Sequence, residues 1–201
     1  MRSVRNIQFC IKHYYCIAFI FFFAAILNAQ QFKGGAFGAP EIKITKLVDQ
    51  SALLVGGRLG WIINKHFVLG GGFYSLVSNI NTGMTDVEGK SYYLGFSYGG
   101  LELEYVFLPD NKFNFSADML FAGGGVSYSV KNKNAEDSYD LTQDLLVWEP
   151  SLNFELKTLS WMHVDFGLSY RFISQFDKFY NTSKSDLQGF NFLLILKFGE
   201  Y

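Results

Sequence analysis

The chain has 201 residues, with 17 Lys+Arg against 18 Asp+Glu, 22 Phe, 12 Tyr, 20 Gly and 3 Pro. Such balanced charge leaves no electrostatic footprint for nucleic acid, and no nucleic-acid partner is expected. Both cysteines, Cys10 and Cys16, precede any folded domain, which excludes disulfide staples, thiolate nucleophiles and cysteine metal sites from that domain.

The first residues read as an address. Arg2, Arg5 and Lys12 form a positive n-region, residues 16–27 are apolar, and Leu27-Asn28-Ala29 ends the run in the small-residue style of a cleavage site. The apolar run is shorter than the ~20 residues of a spanning helix. This predicts a signal peptide over residues 1–29, cut after Ala29, and one domain over residues 30–201. Cleavage removes three of the 17 bases and none of the 18 acids, leaving 14 against 18, a formal charge of −4.

Eight strands are predicted in the remainder: residues 34–45, 52–64, 66–78, 91–107, 112–130, 144–157, 161–175 and 187–199. The clearest is the seventh. Met162, Val164, Phe166, Leu168, Tyr170 and Phe172 alternate with His163, Asp165, Gly167, Ser169 and Arg171. Successive side chains of a strand point to opposite faces, so one face is aromatic and aliphatic and the other polar. In the second strand Leu53, Val55, Leu59 and Trp61 share a face opposite Arg58. In the sixth, Leu146, Trp148, Leu152, Phe154 and Leu156 oppose Glu149, Ser151, Asn153, Glu155 and Lys157. In the eighth, Phe190, Phe192, Leu194, Leu196 and Phe198 oppose Asn191 and Lys197. In the fourth, Leu94, Phe96 and Tyr98 have one parity while Leu101, Leu103, Tyr105 and Phe107 have the other, which predicts a bulge at Gly99-Gly100. Gly123-Gly124-Gly125 invites the same in the fifth strand, and Gly70-Gly71-Gly72 leaves the third unphased. Pro150, and more mildly Pro40, must sit at a bulge or a local break, since proline brings no ladder donor.

The connections alternate in length. Asn64-Lys65-His66, residues 108–111 and residues 157–160 are tight turns. Residues 80–90, 131–143 and 178–186 are long and polar, and residues 46–51 are intermediate. Short turns on the periplasmic side and long loops outside are the habit of outer-membrane barrels. No later apolar stretch could span a membrane as a helix, so a spanning chain must close its backbone hydrogen bonds as a barrel. The expected fold is all-β, an eight-stranded antiparallel up-and-down transmembrane β-barrel in a bacterial outer membrane.

An eight-stranded barrel is just wide enough for its interior to be filled by side chains. The inward set is expected to be Arg58, Glu102, Glu104, Asp118, Glu149, Glu155, His163, Asp165, Arg171 and Lys197. Buried charges must be paired or they cost several kcal/mol each, which points to an ion-pair network plugging the lumen. A Ser-His-Asp set can be drawn from Ser169, His163 and Asp165, but His163 and Ser169 lie roughly 20 Å apart along one strand at ~3.3 Å per residue. No catalytic residue is expected, and no cofactor or metal. The acids Glu136, Asp137, Asp140 and Asp144 read as a solvated loop. Trp61 and Trp161, beside tight turns, are expected in the periplasmic aromatic girdle and Trp148 nearer the outer one.

The segments Val55-Gly-Gly-Arg-Leu-Gly-Trp-Ile-Ile-Asn64, Phe67-Val-Leu-Gly-Gly-Gly72, Tyr98-Gly-Gly-Leu-Glu-Leu-Glu-Tyr105, Glu149-Pro150, Ser169-Tyr-Arg171 and Lys197-Phe-Gly199 resemble a family of uncharacterised outer-membrane β-barrel proteins of Bacteroidetes-type bacteria. The resemblance covers most of the chain after residue 29. It implies the fold, the placement and a tolerated Pro150, and carries no catalytic residue. The ending departs from the commonest barrel signature, because Phe198 has lipid-facing parity and Tyr201 does not. The expected partners are outer-membrane lipid, the barrel-assembly machinery and an extracellular or envelope protein. The expected role is structural or surface-interactive, through the long loops. The alternatives are a narrow pore, a lipid-modifying enzyme or a component of a secretion or envelope-assembly machine.

Overall fold

The computed structural model describes residues 34–85, 89, 91–130, 141–176 and 178–199. The predicted signal peptide, most of the loop at 131–143, and Tyr201 fall outside these. The strands are β1 (Ala36–Leu47), β2 (Gln50–Ile63), β3 (Phe67–Leu76), β4 (Ile80–Thr85), β5 (Ser91–Val106), β6 (Phe113–Val130), β7 (Leu141–Leu159), β8 (Met162–Ser174), β9 (Lys178–Phe179), β10 (Thr182–Ser183) and β11 (Gly189–Gly199), with a single turn of helix, α1 (Lys184–Leu187), before the last.

Every pairing is antiparallel. The ladder runs β3-β2-β1-β11-β8-β7-β6-β5 and closes through β3–β5. The β1–β11 seam joins the first and last strands. β3 and β4 both pair with β5 and act as one interrupted strand. Between the pairs Ser75↔Ser97 and Ile80↔Leu94 one side advances five residues and the other three. The barrel is therefore eight-stranded, as its alternating pattern requires, and closure through β3–β5 leaves its belt no edge.

Several sequence expectations need correction. The loop at 80–90 begins as strand β4. The link at 46–51 is a two-residue turn, with Val48 and Asp49 both at positive φ (50° and 55°) and Leu47 opposite Gln50, a match to the right-handed twist of the flanking strands. The 178–186 segment is the β9–β10 ribbon running into α1, and residues 141–143 already belong to β7. The predicted bulges at Gly99-Gly100 and Gly123–Gly125 are absent, since β5 pairs in unbroken register with β3 and β6, and β6 with β7. Leu94, Phe96 and Tyr98 thus face inward together with Glu102 and Glu104. β3 takes a definite phase as well, with Val68 and Tyr74 inward and Phe67, Leu69 and Phe73 outward.

Pro150 is accommodated without a bulge. It pairs with Met119 on β6, while the β7–β8 pairing lapses between Trp148↔Phe172 and Ser151↔Ser169 and resumes in the same register. Pro40 does the same in β1: it pairs with Gly57 on β2, and the β1–β11 pairing lapses between Gly38↔Phe198 and Glu41↔Ile195. Each proline spends its missing donor on a short local break. Inward glycines set the bore. A Cβ on Gly124 would lie 2.6 Å from Tyr98 Cβ, and one on Gly56 2.6 Å from Tyr74 Cδ1, so these positions leave room for two buried tyrosines.

Candidate functional site: the filled lumen

Exposure settles which face is which. Phe166 is 55 % exposed, Phe192 66 % and Leu196 36 %, whereas Asp165 and Arg171 are 0 % exposed. The aromatic rows of β7, β8 and β11 look outward and the ionic rows inward. The apolar exterior runs from Met162 to Phe172 on β8 and from Leu146 to Leu156 on β7. Eleven tilted residues cover about 25 Å, the height of the apolar band of an outer-membrane barrel.

All ten predicted lumen residues are buried, and they assemble into two clusters. In the cluster nearer the tight turns, Arg58 Nη1 pairs with Glu102 and lies 3.0 Å from Asp118 Oδ2, and Arg58 Nη2 lies 3.5 Å from Glu104 and 3.9 Å from Asp165. Lys197 Nζ sits 2.8 Å from Glu104, 3.0 Å from Glu155 and 2.9 Å from Asp165. His163 Nδ1 is 3.1 Å from Glu155 Oε1. Ser151 donates to Asp118, and Asn153 Nδ2 donates to it at 2.8 Å.

The second cluster lies nearer the long loops and includes residues that sequence reasoning missed. Lys43 Nζ donates to Glu149 Oε1 at 2.7 Å and lies 3.6 Å from Glu41. Tyr98 donates to Glu149 and Tyr74 to Glu41. The Lys43 ammonium lies 3.4 Å from the centre of the Tyr74 ring, close enough for a cation–π contact. Arg171 is held by Leu187 O, Asn191 Oδ1 and Thr45 Oγ1. The alternation Glu41-Ile42-Lys43-Ile44-Thr45 was the available signal for β1.

Above this cluster the interior changes character. Leu47, Ile80, Leu94, Val126, Leu145, Val147 and Ile173 form an apolar layer, capped by Phe176 and Leu187 from the segment after β8. Tyr128 anchors that cap by donating to Thr182 Oγ1 and Phe179 O. At the turn end a cavity of about 110 Å³ opens, with Phe37, Ile62, Val68 and Val106 as walls and Glu155, His163 and Lys197 at its inner end.

The drawn Ser-His-Asp set is not assembled. Ser169 donates to Glu149, His163 lies against Glu155, and Asp165 against Lys197. Among the described residues no group of three His, Cys, Asp or Glu is arranged to hold a metal ion.

No family model and no curated protein matches the sequence. Solved structures do. The N-terminal β-barrel domain of Pseudomonas aeruginosa OprF superposes with a TM-score of 0.56 at 10 % identity, covering 84 % of this chain and 99 % of that one. Neisserial surface protein A gives 0.49 at 12 % identity, covering 83 % and 94 %. Ail, the attachment invasion locus protein of Yersinia pestis, gives 0.49 at 11 %, covering 83 % and 97 %. At such identity the likeness to the OprF domain is one of fold. The fold is the small outer-membrane barrel. Together with this chain's own apolar exterior, it places the protein in a bacterial outer membrane.

Proposed function

We propose that this protein is a plugged outer-membrane barrel whose role is structural or surface-interactive, exerted through its extracellular loop end. The observation that carries this reading is the filled interior. Eleven buried charged side chains and His163 cross the lumen within the apolar belt, and an apolar layer with a folded cap closes the loop end. Among the described residues such a closed bore leaves no open path for solute, which favours the surface as the working part. Short turns conventionally face the periplasm, which sets the loop end outside and the turn-end cavity inside.

The same reading takes residues 1–29 as a cleaved signal peptide and residues 30–201 as the barrel. Trp61 and Trp161 are assigned to the periplasmic girdle and Trp148 to the outer one; Trp148 stands about 11 residues of tilted strand from the turn that carries Trp161, as an interface-to-interface span requires. Membership of the Bacteroidetes-type family and insertion by the barrel-assembly machinery belong to this proposal, as does contact with an envelope or extracellular protein. The separate partners of Ser169 and His163 weigh against a lipid-modifying enzyme.

The test is heat-modifiable migration after membrane fractionation, followed by conductance in planar bilayers at neutral pH. A folded, silent barrel is expected. Steady conductance would transfer the reading to a narrow pore, and a soluble product would end it.

A further inference from the structure

The two lumen clusters differ in charge. Near the loops, Glu41 and Glu149 are balanced by Lys43 and Arg171. Near the turns, Glu102, Glu104, Asp118, Glu155 and Asp165 share Arg58 and Lys197, with the His163 ring against Glu155. That is five carboxylates against two permanent cations, an excess of acid that the single imidazole of His163 could not balance. The imbalance sits inside the apolar belt, where an unpaired charge costs several kcal/mol.

The geometry registers the shortage. The single Lys197 ammonium is divided among three carboxylates at 2.8, 2.9 and 3.0 Å. Arg58 Nη1 is shared between Glu102 and Asp118. Asp165 Oδ1 is buried without a hydrogen bond, and Glu104 Oε2 faces Arg58 Nη2 only at 3.5 Å. Few further groups face this cluster. They are Glu41, Lys43 and Glu149, already paired in the loop-end cluster, Tyr74 from β3, and His163 on β8, whose Nδ1 lies 3.1 Å from Glu155 Oε1; Lys157 stands at the mouth, its ammonium spent on Pro109 O.

Among the described residues, access to the cluster is one-sided. The 110 Å³ cavity at the turn end reaches Glu155, His163 and Lys197, whereas the apolar layer and cap close the opposite end. Resting on the plugged-barrel reading above, we propose that protons drawn from the periplasm through this vestibule hold the turn-end cluster together, so that the plug is a one-sided, pH-sensitive gate. With protons bound, the excess carboxylates are neutral acids and can donate to their neighbours. As the periplasmic side turns alkaline these protons leave, like charges face one another in a dry lumen, and the plug loosens.

The full-length protein, folded and inserted with known orientation in a planar bilayer, tests this. Conductance, absent at about pH 7, should appear as the periplasmic chamber is taken to about pH 10, and should not respond to the same change in the other chamber. Asp165→Asn and Glu102→Gln, each removing one excess charge, should move the onset upward by about one pH unit, the tenfold step in proton activity. Silence at every pH, an equal response from both sides, or an onset indifferent to both substitutions would overturn the proposal. So would opening at fixed pH when potassium is replaced by N-methylglucamine, because the counter-charge would then be a metal cation. Heat-modifiable migration screens each variant for folding, and if neither folds the one-sided wild-type titration decides alone. Wild-type conductance already present at neutral pH would instead sink the plugged-barrel reading.

Discussion

The turn-end and loop-end halves of this barrel are inverted copies of each other in polarity. In the turn-end half, Phe113, Phe115, Leu103, Leu152 and Phe166 face out while Asp118, Glu104, Asn153 and Asp165 face in. In the loop-end half, Ser97, Ser127, Thr142 and Asp144 face out while Phe96, Val126, Tyr128 and Leu145 face in. One rule explains both: the face that meets the poorer solvent carries the matching side chains. Where the outside is lipid, the inside is the remaining place for polar groups, and they must pair. Where the outside is water, the inside can be an ordinary apolar core, and charge there is unnecessary. Strands β5, β6 and β7 cross the boundary without a change of register, so the inversion is written entirely in composition.

Substitutions can break this comparison in graded steps. The largest effect is expected for Arg58→Ala, which strands Glu102, Glu104, Asp118 and Asp165 around an empty position. A loss of about 3–5 kcal/mol is expected, because breaking a buried ionic network leaves uncompensated charge. Urea unfolding of the refolded protein in lipid vesicles would read it, and a neutral effect would mean that the lumen is wet. Next, Leu152→Arg places a cation on the lipid face of β7 and should cost about 2–4 kcal/mol. Its counterpart Ser127→Lys, on the outer face of the loop-end half, should stay within about 0.5 kcal/mol. Equal costs would erase the proposed boundary.

Tyr128→Phe removes the donor that ties the cap to β6, at about 1 kcal/mol for a hydrogen bond. Its signature is faster proteolysis between Phe176 and Leu187 with the barrel itself intact. The smallest effect concerns the turns. The Lys65 ammonium, 2.6 Å from Asp110 Oδ1, holds that exposed carboxyl below its ordinary value by hydrogen bond and charge. A depressed carboxyl contributes stability above its ordinary range and loses it as pH falls through the lowered value. Asp110→Asn should therefore remove a small stabilisation at neutral pH and none below the lowered value, flattening a slight acid-side slope read from melting temperatures at neutral and acid pH.

Much of this architecture was legible in the chain. The alternation of β7, β8 and β11 assigned faces residue by residue, and every predicted lumen residue is buried. Glu41 and Lys43 escaped because β1 was never phased, although Ile42 and Ile44 mark its outer face. The glycine runs misled for a different reason. In β5 the apolar parity changes at Gly99-Gly100, which on a uniformly lipid-facing strand implies a bulge. The strand in fact runs straight from one solvent regime into the other, and Leu94 and Leu101 are apolar for opposite reasons.

Period-two alternation placed the eight barrel strands and the polar row within the belt, because side-chain direction along a strand is a local property, but it left β4 and the β9–β10 ribbon as loops. Which groups meet was set by closure of the sheet. Lys43 reaches Glu149 from 106 residues away and Lys197 reaches Glu104 from 93, and such partnerships follow from how the closed sheet staggers its strands. The cap, the break beside each proline and the charge imbalance between the two clusters depend on the same closure, which no stretch of neighbouring residues encodes.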